Sequence, residues 1–252
     1  MLLVSTALPT NTSPANLWRV GTVASVNTET PTGRSIMIDV PGWGGNLAGQ
    51  HLDLRLSAPD GYQAVRSYSI ASASTGDRLE LAVDRLPEGE VSPYLVDDLL
   101  PGDQLELRGP LGGWFVWRPE QTTPVQLIGG GSGIVPLVAM ARAHAASGST
   151  ARFQLLYSVR TPEDVFFKDE LAALASPYFA VTWVYTRRTP EGWPTAAGRV
   201  NREVLAAATI PASENPAVFV CGPTGFVESV ADSLVALGHP AASVKTERFG
   251  GK

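Results

Sequence analysis

Cysteine is nearly missing from this chain: Cys221 is the only one in 252 residues. No disulfide can close within it, and no iron–sulfur cluster can be held by four of its own thiolates. The three histidines, His51, His144 and His239, are widely spaced, which argues against the clustered ligands of a metal centre. Charge is also sparse, at 17% of residues with a net value of −5. That balance argues against a nucleic-acid partner, whose binding would rest on basic surface. No apolar run approaches the ~20 residues of a membrane span. The opening Met1–Pro9 has a short apolar run without the basic residues of a secretory leader. A cytoplasmic monomer is therefore expected. Apolar residues are plentiful at 44%, enough for one large or two ordinary domains.

Three regions follow. Residues 1–16 include a stretch rich in Pro, Thr, Ser and Asn and read as a mobile tail. Residues 17–118 read as short, often alternating strands near 18–26, 35–40, 50–56, 65–71, 79–85 and 104–108. Pro41-Gly42, Pro59-Asp60-Gly61 and Pro101-Gly102-Asp103 punctuate them. This spacing suggests a six-stranded antiparallel barrel, interrupted by a helix over 93–100. A polar linker precedes residues 122–252, where apolar strands near 125–128, 153–157, 181–185, 217–220 and 243–249 alternate with helices. The helices are expected over 134–146, 163–175, 202–208 and 224–237. The alternation implies a parallel, Rossmann-like sheet with helices on both faces.

The richest chemistry lies in Arg66-Ser67-Tyr68-Ser69-Ile70-Ala71-Ser72. It combines a cation for a pyrophosphate, a flat ring for an isoalloxazine and a small hydroxyl for its N5 edge. Arg66 and Tyr68 share one face of a strand; Ser67 and Ser69 share the other. Contact from both Tyr68 and Ser69 therefore calls for a twist or bulge. One strand later, Gly89-Glu90-Val91-Ser92-Pro93 offers a helix start, with Ser92 as N-cap and Pro93 at the first helical position. Such an end attracts phosphate oxygens.

The second half opens with Val125–Ile128 running into Gly129-Gly130-Gly131-Ser132-Gly133 and a helix. Glycines after a strand let backbone approach a pyrophosphate. The spacing is not G-x-G-x-x-G, and no P-loop lysine follows. Cys221-Gly222-Pro223 ends another apolar strand, on the side where such sheets bind ligands. Without a nearby histidine, Cys221 reads as a packing residue rather than a nucleophile. Arg160, Arg187, Arg188 and Arg199 could pair with the 2′-phosphate of NADPH. Glu163 and Asp164 would repel that phosphate and favour NADH, so both coenzymes stay open.

Taken together, Arg66–Ser69, Gly89–Ser92, Gly129–Pro136, Tyr157–Arg160, Cys221–Pro223 and Glu247-Arg248-Phe249 resemble the ferredoxin–NADP reductase superfamily of flavoproteins. The resemblance implies an FAD-binding barrel joined to an NAD(P)-binding domain. By that likeness Arg66 contacts the flavin phosphates, Tyr68 stacks on the ring and Ser69 approaches N5, with Ser67 of the same motif a further cofactor-binding candidate. Gly89, Glu90, Val91 and Ser92 hold the pyrophosphate. Gly131, Ser132 and Gly133 serve the nicotinamide nucleotide with Arg160, Arg187 and Arg188. Cys221, Gly222 and Pro223 line the hydride-transfer site, with Glu247 and Phe249 beside the flavin. Tyr68, Ser69, Cys221 and Glu247 form the implied catalytic set. The implied protein is a stand-alone NAD(P)H-dependent reductase. It would pass hydride to FAD and then single electrons to a ferredoxin, an oxygenase component or another redox enzyme. A regulatory flavin-binding subunit of a larger redox complex is the alternative. Chain ends in plant-type members are aromatic, whereas Gly250-Gly251-Lys252 follow Phe249 here.

Overall fold

Two runs of alternating residues fold back as hairpins: β1 (Trp18–Thr30) with β2 (Gly33–Asp39), and β3 (His51–Ser57) with β4 (Gln63–Ser69). The computed structural model describes residues 14–250. With β5 (Arg78–Asp84) and β6 (Gln104–Leu111) the strands form an antiparallel sheet in the order β4-β3-β6-β1-β2-β5. The outer strands meet just past β4. Ile70 bridges Leu81, and the Ala71 N–H donates to the Glu80 carbonyl at 2.7 Å. The sheet thus closes as a barrel around buried Ile36, Ile38, Leu52, Leu54, Leu79, Leu81 and Leu107. Closure removes the exposed edges that an open sheet would leave for aggregation.

The second half is a parallel sheet in the order β11-β10-β7-β8-β9. Its strands are β7 (Val125–Gly130), β8 (Phe153–Val159), β9 (Phe179–Tyr185), β10 (Ala217–Pro223) and β11 (Val244–Phe249). Helices α1 (Ile134–Ser147), α2 (Lys168–Ala173), α3 (Arg202–Ala208) and α4 (Thr224–Ala236) complete it. β7 is buried at every position, as a central parallel strand must be.

Three expectations change. β1 runs on to Thr30 rather than ending near Val26, because its polar second half pairs with β2 as a ribbon. Glu29 there accepts from Ser35 Oγ at 2.7 Å and from the Phe167 N–H at 3.1 Å. The helix expected over 93–100 is one wide turn, Tyr94–Asp98, closed by the Leu99 N–H on the Tyr94 carbonyl at 3.0 Å. The helix expected over 163–175 is split into a capped turn at Pro162–Asp164 and α2. Between them Val165, Phe166 and Phe167 are buried, and Phe167 takes a left-handed φ of 55°. Burial of this apolar trio overrides local helix propensity. The predicted tail lies outside the described residues except for Pro14–Asn16, which make one helical turn.

The halves share a core. Ala48, Phe115 and Trp117 from the barrel side join α1 and the parallel sheet in one buried cluster. Across this seam Arg142 on α1 pairs with Glu80 on β5, and donates to the Ala71 carbonyl at 2.9 Å. It also grips Glu170 bidentately at 2.6 and 2.7 Å. Burial raises the pKa of Glu80, and Arg142 works against that rise. Burial likewise opposes the charge of Arg142, but Glu170 and Glu80 together outweigh it and raise its pKa. Removing the cation would leave Glu80 buried and uncompensated. Arg142→Ala is expected to lower the unfolding free energy by about 3–5 kcal/mol. Adding Glu80→Gln should recover part of the loss, as read by denaturant titration of the two variants.

Candidate functional site

The strand order reverses between β7 and β10. At such a switch point the carboxyl ends of the two strands open a crevice. Glycines allow the chain to pack there. A Cβ on Gly133 would stand 2.2 Å from the Cys221 carbonyl oxygen, so any side chain would drive β10 away from the first turn of α1. Gly130 and Gly222 end the neighbouring strands, and the Phe226 ring seats against both; a Cβ on either would approach it to 2.8 Å. Gly131 has a φ of 56° with open space above it, leaving backbone free to face a ligand.

β4 faces this crevice from the barrel. Its pairing with β3 is unbroken from Ser57↔Gln63 to His51↔Ser69, so the expected bulge is not there. The irregularity lies instead on the other side of β3, between His51 and Asp53 opposite β6. β4 is the last strand in the ladder and is bridged to β5 only beyond Ser69. Residues from both of its faces therefore border the opening. Tyr68 packs partly on the barrel core, and burial pushes its hydroxyl pKa up to about 12. Ser67 Oγ donates to Asp53 at 2.7 Å. Burial acts to raise the Asp53 pKa, but Ser67 and Arg108 hold it below the usual range. Arg66 pairs with Glu90. Ser92 is not a side-chain cap: its Oγ accepts the Leu86 N–H at 3.0 Å and braces the loop before the wide turn.

One cleft of about 560 Å³ joins these groups. Arg66, Ser67, Tyr68, Ser69 and Gly89–Ser92 line one side; Gly131, Ser132, Arg160, Cys221, Pro223 and Phe249 line the other. Gly133 and Gly222 lie behind that wall as packing positions. Arg187 and Arg188 are outside the lining, and Arg188 is engaged by Glu163. Their N–H groups donate to the Arg160 carbonyl at 2.9 and 3.2 Å, fixing the loop. Glu247 is also outside the lining. It pairs in register with Cys221, and its carboxylate lies 4.0 Å from His51 Nδ1. Burial lifts its pKa to about 7. Burial and then Glu247 raise the Cys221 thiol above its ordinary range, so the sulfur stays protonated and is not a nucleophile.

Several lining residues escaped the sequence reading. Thr32 Oγ1 donates to Asp84 at 2.8 Å on the floor of the cleft. Phe226 had a legible signal in the paired glycines it covers, but only if β7 and β10 were known to be neighbours. Among the described residues no helix is long and apolar enough to cross a membrane, and no group of histidine, cysteine and carboxylate side chains could hold a metal ion.

Residues 44–116 match the family model of an oxidoreductase FAD-binding domain, and residues 127–232 that of an oxidoreductase NAD-binding domain. Ferredoxin–NADP reductase B of Sorangium cellulosum is 36% identical over 214 residues, covering 80% of this chain and 84% of that protein. The ferredoxin reductase component of 3-ketosteroid-9-alpha-monooxygenase from Mycolicibacterium smegmatis is 34% identical over 237 residues. That match covers 90% of this chain, but the chain spans only 64% of that relative's length. Among solved structures, the flavohem-like FAD/NAD-binding domain of nitric oxide dioxygenase from Vibrio cholerae superposes with a TM-score of 0.82 at 26% identity. It covers 92% of this chain and 99% of that domain. With the barrel, the switch-point sheet and both domain models in agreement, the chain belongs to the ferredoxin–NADP reductase superfamily.

Proposed function

We propose that this protein is an NAD(P)H-dependent FAD reductase that delivers single electrons to a separate redox protein, either a ferredoxin or an oxygenase component. The observation that carries this reading is the single cleft that both halves wall, with the Arg66–Ser69 strand facing the switch point. Reductase components among the relatives support the choice of acceptor. When bound, the two cofactors supply hydride transfer between nicotinamide C4 and flavin N5, and then one-electron release. We further read the chain as dividing between residues 118 and 122, and as a monomer working in the cytoplasm.

The residues present suit both groups. Arg66 and the backbone of Gly89–Ser92 would hold the flavin pyrophosphate. Tyr68 offers a face for the ring from the barrel, and Phe249 offers one from β11. Ser69 would hydrogen-bond near N5. The exposed backbone at Gly131 and Ser132 would take the nicotinamide nucleotide's phosphates. Arg160 and Arg187 have no ion-pair partner among the described residues, whereas Arg188 is neutralised by Glu163. Arg160 lines the cleft beside Asp84 and Asp164 while Arg187 lies outside it, so a cation that would attract a ribose phosphate and carboxylates that would repel it stand together, and the reading takes in both NADH and NADPH. Cys221, neutral and buried, would pack beneath the nicotinamide and exclude water. Glu247 would sit behind it as a carboxyl that gains or loses a proton near neutral pH.

The decisive experiment is anaerobic titration of the purified protein with NADH and with NADPH while flavin absorbance is followed. Bleaching by at least one of the two coenzymes is the expected result, and the lower concentration needed identifies the preferred one. A yellow protein that neither coenzyme bleaches would instead favour a flavin-binding regulatory subunit. Arg66→Ala should weaken FAD retention by about tenfold or more, the scale of one lost charge-assisted contact. Ultrafiltration of the purified variant should therefore strip its colour. Ser69→Ala should keep FAD but slow its reduction in stopped flow. Glu247 has a folded pKa near 7, above its unfolded value. Its contribution to stability is thus complete at acid pH and is lost as pH rises through about 7. Glu247→Gln should flatten that fall in thermal unfolding measured across the same pH range.

A further inference from the structure

The anchor proposed for the flavin pyrophosphate is already occupied by a carboxylate of the same chain. Arg66 Nη2 pairs with Glu90, and Arg66 Nη1 donates to the Val65 carbonyl at 2.8 Å. The other oxygen of Glu90 accepts a hydrogen bond from Tyr62 Oη at 2.8 Å. The carboxylate is therefore bracketed from two sides. Tyr62 is itself fixed at the mouth of the β3–β4 hairpin. Its carbonyl accepts the Ala58 N–H at 2.8 Å, and its own N–H donates to Asp60 at 3.0 Å.

Glu90 follows Gly89 in the segment expected to face phosphate, and both line the cleft with Arg66. A glutamate there is the wrong sign for a dianion. The hydrogen bond from Tyr62, and the charge of Arg66, hold the Glu90 carboxyl below the usual range, so it stays ionised at neutral pH. The side chains of Arg66 and Glu90 are about half exposed, at 50% and 48%. Such a pair adds little to folding stability, so displacing it would cost the fold little. A phosphate arriving at Arg66 must displace this carboxylate or share the guanidinium with it.

We propose that Glu90 competes with the flavin pyrophosphate for Arg66, so that FAD is held as an exchangeable group whose occupancy Glu90 sets. This rests on the reading of Arg66 as the pyrophosphate anchor. Tyr62 acts through Glu90: it holds the carboxylate on the guanidinium and so strengthens the competition. The effect concerns phosphate recognition, and the flavin ring does not feel it directly.

The test is titration of flavin-free protein with FAD and, separately, with riboflavin, which lacks phosphate, following flavin fluorescence. Glu90→Gln keeps the shape and the hydrogen bond to Tyr62 but removes the charge. Its FAD affinity should rise about tenfold, the scale of one removed charge contact, and release of FAD into excess competitor should slow. Riboflavin binding should not change. Tyr62→Phe should tighten FAD to a smaller degree. An FAD affinity of Glu90→Gln equal to or weaker than wild type overturns the competition and makes Glu90 a positioning partner of Arg66. A folded wild type that binds no FAD would overturn the flavoprotein reading as well, which separates the two failures.

Discussion

The cleft exists only while two independently built sheets keep one relative placement, and Arg142 is the group that fixes it. The guanidinium leaves α1, reaches Glu80 on the barrel, and takes the Ala71 carbonyl two residues beyond Ser69. It also stands over the Phe167 ring, 4.9 Å from its centroid. One side chain thus ties the strand bearing Arg66–Ser69 to the helix that follows Gly129–Gly133. A buried cation with two carboxylates is costly to assemble. What it contributes beyond stability is geometry, since hydrogen bonds to a planar fork fix orientation more tightly than apolar contact does. Phe166 against Gly33 and Glu29 on the Phe167 N–H repeat the same idea at the far end of the seam.

Much of this arrangement was readable in the sequence. Strand alternation, turn residues and the change of pattern near Pro119 named the two sheets. The family resemblance, carried by these motifs in their order, implied that Arg66–Ser69, Gly89–Ser92, Gly131-Ser132 and Cys221 share one site, and they line one cleft. The failures share a physical cause. Val165-Phe166-Phe167 looked like the middle of a helix because the shared core that buries them is assembled from both halves of the chain. Ser92 looked like a cap because cap chemistry is local, yet its hydroxyl found the Leu86 N–H instead. Of the twist or bulge expected in β4, the bulge is absent: β4 is the last strand of the ladder, and residues of both its faces border the cleft with its register unbroken. Arg142 gave no signal at all, because a helix-borne arginine looks the same in sequence whether it meets solvent or a buried acid.

Charge placement ties the fold to the chemistry. Of the chain's arginines, Arg55, Arg78, Arg85 and Arg152 are held by partly or fully exposed carboxylates, and Arg108 by the buried Asp53. These pairs leave little net field outside the site, which suits a protein of modest negative charge. The wall of the cleft is different. Among the described residues Arg160 makes no ion pair, though it acts on Asp84 through space, and Arg66 is paired with the half-exposed Glu90. Arg66 and Arg160 thus bring two cations to the cleft where the two sheets meet.

Around the sulfur the logic reverses. Cys221 and Glu247 sit side by side on β10 and β11, where burial disfavours charge on both. A thiolate there would face a carboxylate with little solvent between them. Holding Glu247 protonated lowers stability as pH rises from its ordinary range towards about 7, and His51, 4.0 Å from the Glu247 carboxylate, is a titratable side chain placed to respond to its charge. The site thus divides its labour by dielectric. Phosphates are met by exposed cations at the rim, while the place proposed for hydride transfer is floored by the neutral Cys221 thiol, with Glu247 behind it. A hydride moves between two carbon-and-nitrogen rings without a local acid or base, and an uncharged, close-packed floor is the surface that serves it.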